Sequence, residues 1–198
     1  MRVMARYLTL FFLLIAGSLL SGCGNTEPPK VMKAFDASVY APMAVNARHL
    51  KILQSWQMPM QAPYEEHLLN PLPVDILTDW ATQVLQPLGG SGDVTLDITE
   101  ASVQITELPP EEGFLNSLKD NQDSQIRVIF AAKLIWLQPL GQHQGMVEIR
   151  ATATQTLPES SRPIDYDLAI QDTILATLTS FDRQLRDETA KMQLFVLP

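Results

Sequence analysis

Two periods of hydrophobic spacing alternate along residues 47–192 and lay out the order of elements. In 47–56 (ARHLKILQSW), Leu50, Ile52 and Trp56 fall on one side of a weak alternation, which predicts a first strand. Residues 57–73 carry four prolines and predict an irregular, partly polyproline crossover. The spacing then changes. Leu77, Trp80, Ala81, Val84 and Leu88 recur at i, i+3, i+4, i+7 and i+11, the apolar stripe of a helix. Pro73 suits the first helical position, and Gly89-Gly90 are expected to stop the helix.

Alternation returns at Val94, Leu96 and Ile98, on even positions, and continues at Ala101, Val103 and Ile105, on odd ones. A one-residue slip turns every side chain over, so a bulge or break is expected near Thr99–Ala101. Residues 109–125 read as a polar loop. Residues 126–137 carry Ile126, Val128, Phe130, Ala132, Leu134 and Trp136 on the even face, and Ile129, Ala131, Ile135 and Leu137 on the odd face. That pattern predicts a central strand. The odd face wants a cover of its own, so Ile129, Ile135 and Leu137 are the expected partner-facing residues. In 146–157 Val147, Ile149, Ala151 and Ala153 alternate with Glu148, Arg150, Thr152 and Thr154, a half-solvated strand. A long helix is expected from about Ile164 to Met192, its inward stripe Leu168, Ile174, Leu175, Leu178, Phe181 and Leu185. Asp182–Arg186 and Asp187–Lys191 are expected as i,i+4 pairs on its wet side.

The order is β-α-β-β-β-α. The expected fold class is α+β, with two amphipathic helices packed on one face of a four-stranded, mostly antiparallel sheet. Residues 47–198 form this single domain. Residues 23–46, with Pro28, Pro29 and Pro42 and no sustained period, are expected as a tether.

The first residues carry a different signal. Arg2 and Arg6 precede a thirteen-residue apolar run, Leu8–Leu20, too short for the roughly 20 residues that span a bilayer. Leu20-Ser21-Gly22-Cys23 follows, and then Gly24. This resembles the lipobox of bacterial lipoproteins, and the resemblance implies removal of residues 1–22 and lipidation of Cys23. In that family the cysteine carries a thioether-linked diacylglycerol and an amide-linked third chain. Gly24, where enterobacterial relatives retained in the inner membrane carry Asp, implies sorting to the outer membrane; the domain is expected to face the periplasm.

Charge and composition narrow the function. The chain of 198 residues has 22 acidic against 14 basic residues and a net charge of −8, a poor match to nucleic acid. Loss of Arg2 and Arg6 would leave 12 basic groups and a mature net charge of −10. Such a body gains nothing from an anionic membrane surface and would be held by lipid. The 46% hydrophobic content suits a packed core, and one cysteine cannot make a disulfide scaffold.

Catalytic patterns are sparse. His49, His67 and His143 fall in a strand, a proline-rich loop and a turn, none at metal-ligand spacing from another histidine. Glu65-Glu66-His67 offers carboxylates beside an imidazole, but neighbours on a loop ordinarily face water. Gly89-Gly90-Ser91-Gly92-Asp93 has Asp where a nucleophile elbow needs Gly, and a helix-to-strand order where a phosphate loop needs the reverse. Asp120-Asn121-Gln122-Asp123 lacks a calcium loop's spacing and glycine. Glu111-Glu112 and Asp165/Asp167 read as solvated charges. No enzymatic role, metal or cofactor is expected.

The lipobox with this β-α-β-β-β-α body resembles small proteobacterial envelope lipoproteins. Its architecture is similar to the auxiliary lipoproteins of ABC-type lipid transport and to the lipoprotein subunit of the lipopolysaccharide translocon. The stretch from Glu66-His67 through Pro71, Pro73 and Trp80 to Gly92, with Ala101-Ser102-Val103 and Leu108-Pro109, also looks similar to proteobacterial lipoproteins in general, and its motifs name no activity. The 57–73 crossover is long for the transport families. The resemblance implies a non-enzymatic accessory or assembly subunit of an envelope complex that moves lipid or lipopolysaccharide. The alternative is a module binding a lipid or small ligand between helices and sheet, with Met58 and Met60 lining an adaptable site.

Overall fold

A computed structural model describes residues 34–109 and 122–197. Leu20, Ser21, Gly22 and Cys23 lie outside the described residues, as do Glu111, Glu112, Asp120 and Asn121. Strands β1 (Met43–Val45) and β2 (His49–Gln54) precede helix α1 (Pro73–Val84). Then come β3 (Leu85–Pro87), β4 (Asp93–Glu107), β5 (Gln122–Gln138), β6 (His143–Pro158) and helix α2 (Pro163–Thr189).

The main sheet has the order β2-β4-β5-β6, with β2 parallel to β4 and the other neighbours antiparallel. Parallel neighbours need a crossover, and α1 supplies it between β2 and β4. Both helices cover one face: α1 lies against β2 and β4, and α2 against β5 and β6. The expected α+β layer is therefore present. The register of β4 against β5 shifts between Ile98 and Glu100, where the alternation changes phase. The bulge lets Leu96 and Ile98 share the buried face with Ala101 and Val103.

Under the helices the core centres on Trp80, Trp136, Phe130, Phe181 and Phe195, all fully buried. Trp80 and Phe181 meet edge to face at 5.2 Å, and so do Trp136 and Phe195 at 5.5 Å. Side chains of this size contribute about 1.5–3 kcal/mol each when fully buried.

Several expectations need correction. The tether does not reach residue 46, because Met43–Val45 form β1, parallel to β3, and bury Met43 and Val45. Behind α2 the chain returns to them: Leu197 N–H donates to the Ala44 carbonyl at 2.9 Å, and Asn46 N–H to that of Phe195 at 2.8 Å. The Trp136 indole also donates to the Asn46 carbonyl, at 2.7 Å. A three-residue strand is too short to show a period.

Helix α1 ends at Val84, four residues before Leu88, because Leu85 turns into β3. Leu88 is exposed. Gly89 serves close approach rather than helix termination, since a Cβ there would stand 2.6 Å from Ala47 N. Gly92 has φ +85, and a Cβ on it would stand 2.5 Å from the Leu137 carbonyl oxygen. The 109–125 loop is shorter than expected at its far end, because β5 already begins at Gln122. On α2, Asp182 and Arg186 do pair, but half-buried against Tyr40 and Ala41 rather than in water. Lys191 pairs with Glu188 at 2.6 Å, not with Asp187.

Glu66 is fully buried, contrary to its expected place in solvent. Its Oε2 accepts Val103 N–H at 3.2 Å, and the neighbouring Glu65 N–H donates to the Val103 carbonyl at 2.8 Å. Tyr64 bridges Gln104, and Ile105 N–H donates to the Pro63 carbonyl at 2.9 Å. The proline-rich crossover thus runs along the edge of β4 beyond the end of β2.

Candidate functional site

The face of the sheet away from the helices is exposed at its β5–β6 turn end, around Leu137 and Met146, and buried past the bulge at Ser102, Ile129 and Ala131. Register places its residues in rows: Asp93, Leu137 and Gln144 at one end, then Thr95, Ile135 and Met146, then Asp97, Lys133 and Glu148. Past the bulge come Glu100, Ala131 and Arg150, followed by Ser102, Ile129 and Thr152. The rows differ in chemistry because β4 and β6 are polar at these positions while β5 is mostly apolar.

Charge pairs occupy the middle of the face. Lys133 Nζ lies 3.0 Å from Glu148, and Arg150 donates to Glu100 Oε2 at 2.6 Å. Ser102 donates to the other oxygen of Glu100, at 2.9 Å. These partly exposed pairs, one between opposed residues and one spanning β5, are worth about 0–1 kcal/mol each, and their use is to hold side chains in register. The end of the face is apolar. Leu137 is 50% exposed and Met146 60%, with Ile135 half-buried between them. Leu140, in the adjoining β5–β6 turn, is 72% exposed. His49 and Asp93 pair at 3.0 Å beside Leu137.

Of the three residues expected to face a partner, Leu137 is the most open and Ile135 is partly open. Ile129 is buried at 7% exposure, packed in its row with the buried Ser102, and offers a partner little surface. Met146 and Leu140 were not singled out by pattern. Met146 stands on the polar side of an alternating strand, and only its register with Ile135 brings it into the patch.

A second feature lies on the helix side. In α2, Asp167, Ile170, Gln171, Ile174 and Leu175 recur at helical spacing and form one wall of a groove. Phe35, Leu68, Leu69, Pro71 and Ile76 form the rest, enclosing about 460 Å³. The walls are mainly apolar, and Asn70, Asp167 and Gln171 supply polar atoms. A volume of this order suits a small ligand or part of an acyl chain. None of the described methionines lines it, and Met60 is exposed elsewhere.

The described residues show no cluster of three or more metal-ligating side chains. His49 pairs with Asp93, and His143 stacks on Trp136 with ring centroids 6.4 Å apart. Among the described residues no helix is long and apolar enough to cross a membrane.

No protein-family model and no curated protein matches the chain. Among solved structures, it is similar to a neuraminyllactose-binding hemagglutinin homolog from Helicobacter pylori. The identity is 12% and the TM-score 0.40, over 78% of this chain and 92% of that one. It is also similar to the rare lipoprotein B from Shewanella oneidensis, at 12% identity and TM-score 0.27, over 69% of this chain and 98% of that one. Likenesses this distant carry no function from one chain to another.

Proposed function

We propose that the protein is a lipid-anchored, non-enzymatic accessory subunit of the bacterial outer membrane, facing the periplasm. It is anchored through Cys23 and docks on a protein of an envelope complex that moves lipid or lipopolysaccharide. The observation that carries this reading is the exposed apolar end of the sheet face away from the helices. Both helices lie on one face, and the other presents Ile135, Leu137, Leu140 and Met146 beside ordered charge pairs. Such a patch with a polar surround is the form of a protein contact surface. The test is a photo-crosslinking residue placed in intact envelopes, at Leu137 and Met146 in turn and at Arg183 on α2 as a control. Both sheet positions should trap one and the same transport-complex subunit, and Arg183 should not trap it. Equal labelling from all three positions, or none from any, contradicts the docking face.

The 460 Å³ groove favours a second reading, a module that holds an apolar chain between α2 and the crossover. A ligand that binds only the folded state raises the melting temperature. Delipidated protein whose melting temperature is unmoved by added phospholipid or lipopolysaccharide would contradict that reading.

A further inference from the structure

The two edges of the main sheet are finished differently. On one side β2 is six residues long and bears His49 and Lys51, and beyond it the crossover caps β4 through Tyr64, Glu65 and Pro63. On the other side β6 runs sixteen residues, from His143 to Pro158, and among the described strands it pairs with β5 alone. Between Gly145 and Leu157 it has no proline, and its register with β5 has no bulge over that length. Among the described residues nothing pairs with its outer edge. Natural sheets blunt long edges with prolines, bulges, covering segments or charges; β6 carries only charges, Glu148 and Arg150 of opposite sign, which a second strand of complementary charge can match.

The sequence of β6 selects the strand. An antiparallel pairing of two identical strands about a two-fold axis normal to the sheet keeps both sets of helices on the same face. It then requires each residue to meet one of the same alternation phase. Centred on Ile149, it sets Glu148 opposite the second copy's Arg150, and Arg150 opposite the second copy's Glu148. Val147 meets Ala151, and Met146 meets Thr152. Moving the centre to Glu148 or Arg150 places like charges opposite each other. Glu148 and Arg150 are both exposed on the open face, within reach of a neighbouring strand. Both already pair inward, Glu148 with Lys133 on β5 and Arg150 with Glu100 on β4, so the register would set Lys133 and Glu148 in one row of alternating charge with the second copy's Arg150 and Glu100.

We propose that β6 pairs with β6 of a second copy, antiparallel and centred on Ile149, joining two four-stranded sheets into one of eight strands. Opposed residues in such a pair have Cα atoms about 4.5–5.5 Å apart, within disulfide range. Within one chain, Met146 and Thr152 lie about 20 Å apart along the strand, so they cannot bridge each other.

The test uses the full chain in intact envelopes. Met146→Cys with Thr152→Cys should give a covalent dimer on non-reducing gels, while Thr152→Cys alone and the unaltered chain should not. Adding Glu148→Arg, or Arg150→Glu, to the two-cysteine chain should cut the yield about tenfold, since each creates two like-charge contacts across the strands. Adding both together should restore it. The combined reversal also leaves Lys133 and Glu100 each facing a like charge, so an effect on folding alone would make this chain the worst of the set, not the rescued one. A chain that stays protease-resistant yet gives no dimer overturns the proposal, and so does failure of the rescue.

Discussion

The indole Nε1 of Trp80 donates a 3.1 Å hydrogen bond to Asp182 Oδ1, across the seam between α1 and α2. Asp182 also receives the Arg186 guanidinium, Nε to Oδ2 at 2.8 Å and a second N–H to Oδ1 at 3.1 Å. One carboxylate thus satisfies the single polar atom of a fully buried tryptophan and fixes an arginine that reaches the Ala41 carbonyl. The seam between the helices and the segment leading into β1 are tied at one point.

Trp80→Ala should therefore cost about 3–5 kcal/mol in urea unfolding, the range for deleting a large buried aromatic side chain. Trp80→Phe keeps most of the volume but takes the N–H from a charged acceptor, and should cost about 1.5–3 kcal/mol. Equal stability of Trp80→Phe and the parent chain would show that the bond to Asp182 contributes nothing.

Gly92 and Gly90 make a matched pair. Gly92→Ala would place a Cβ 2.5 Å from the Leu137 carbonyl oxygen at φ +85, and should destabilise by more than about 1 kcal/mol. Gly90→Ala meets nothing within 4 Å, and its stability should stay within about 0.5 kcal/mol of the parent. Thermal melts of both variants decide this.

Burial raises the pKa of the Tyr40 hydroxyl above its ordinary 10.0. The Thr179 hydrogen bond opposes the shift and the nearby Asp182 charge adds to it. The folded state holds this proton more tightly than the unfolded one. The associated stability is thus fully present below pH 10 and is lost as pH rises past it. Tyr40→Phe should make the fall in stability above pH 10 shallower, read by unfolding at a series of pH values. An unchanged slope contradicts this account of Tyr40.

Labelled palmitate should enter the full chain in cells, and Cys23→Ser should abolish the incorporation. Label retained by Cys23→Ser would remove Cys23 as the anchor.

Long alternating and helical runs made the main sheet, the two helices and the bulge after Ile98 legible in the sequence. There, each residue's environment follows from its neighbours two, three or four places away. What was hidden depends on partners far along the chain. β1 and β3 are three residues each and exist because they pair with each other. Phe195 is buried because the tail returns to Asn46 and Trp136. Glu66 is buried because the crossover follows β4, which local polarity does not reveal. The groove joins pieces from residue 34 to residue 175. On the open face, Leu137 was readable as an odd-face apolar residue, but Met146 belongs to the patch only through register.

Affinity purification from crosslinked envelopes decides whether the protein docks through the exposed end of the sheet face. The unaltered chain is compared with Leu137→Asp/Met146→Asp, with proteins and lipids both identified by mass spectrometry. Both positions are exposed, so the variant should fold and keep its lipid. The expected result is stoichiometric recovery of a transport-complex subunit with the unaltered chain and at least tenfold less with the variant, a loss of about 1.4 kcal/mol or more in binding. Equal recovery with both chains, or a lone lipid species with no protein, would contradict it.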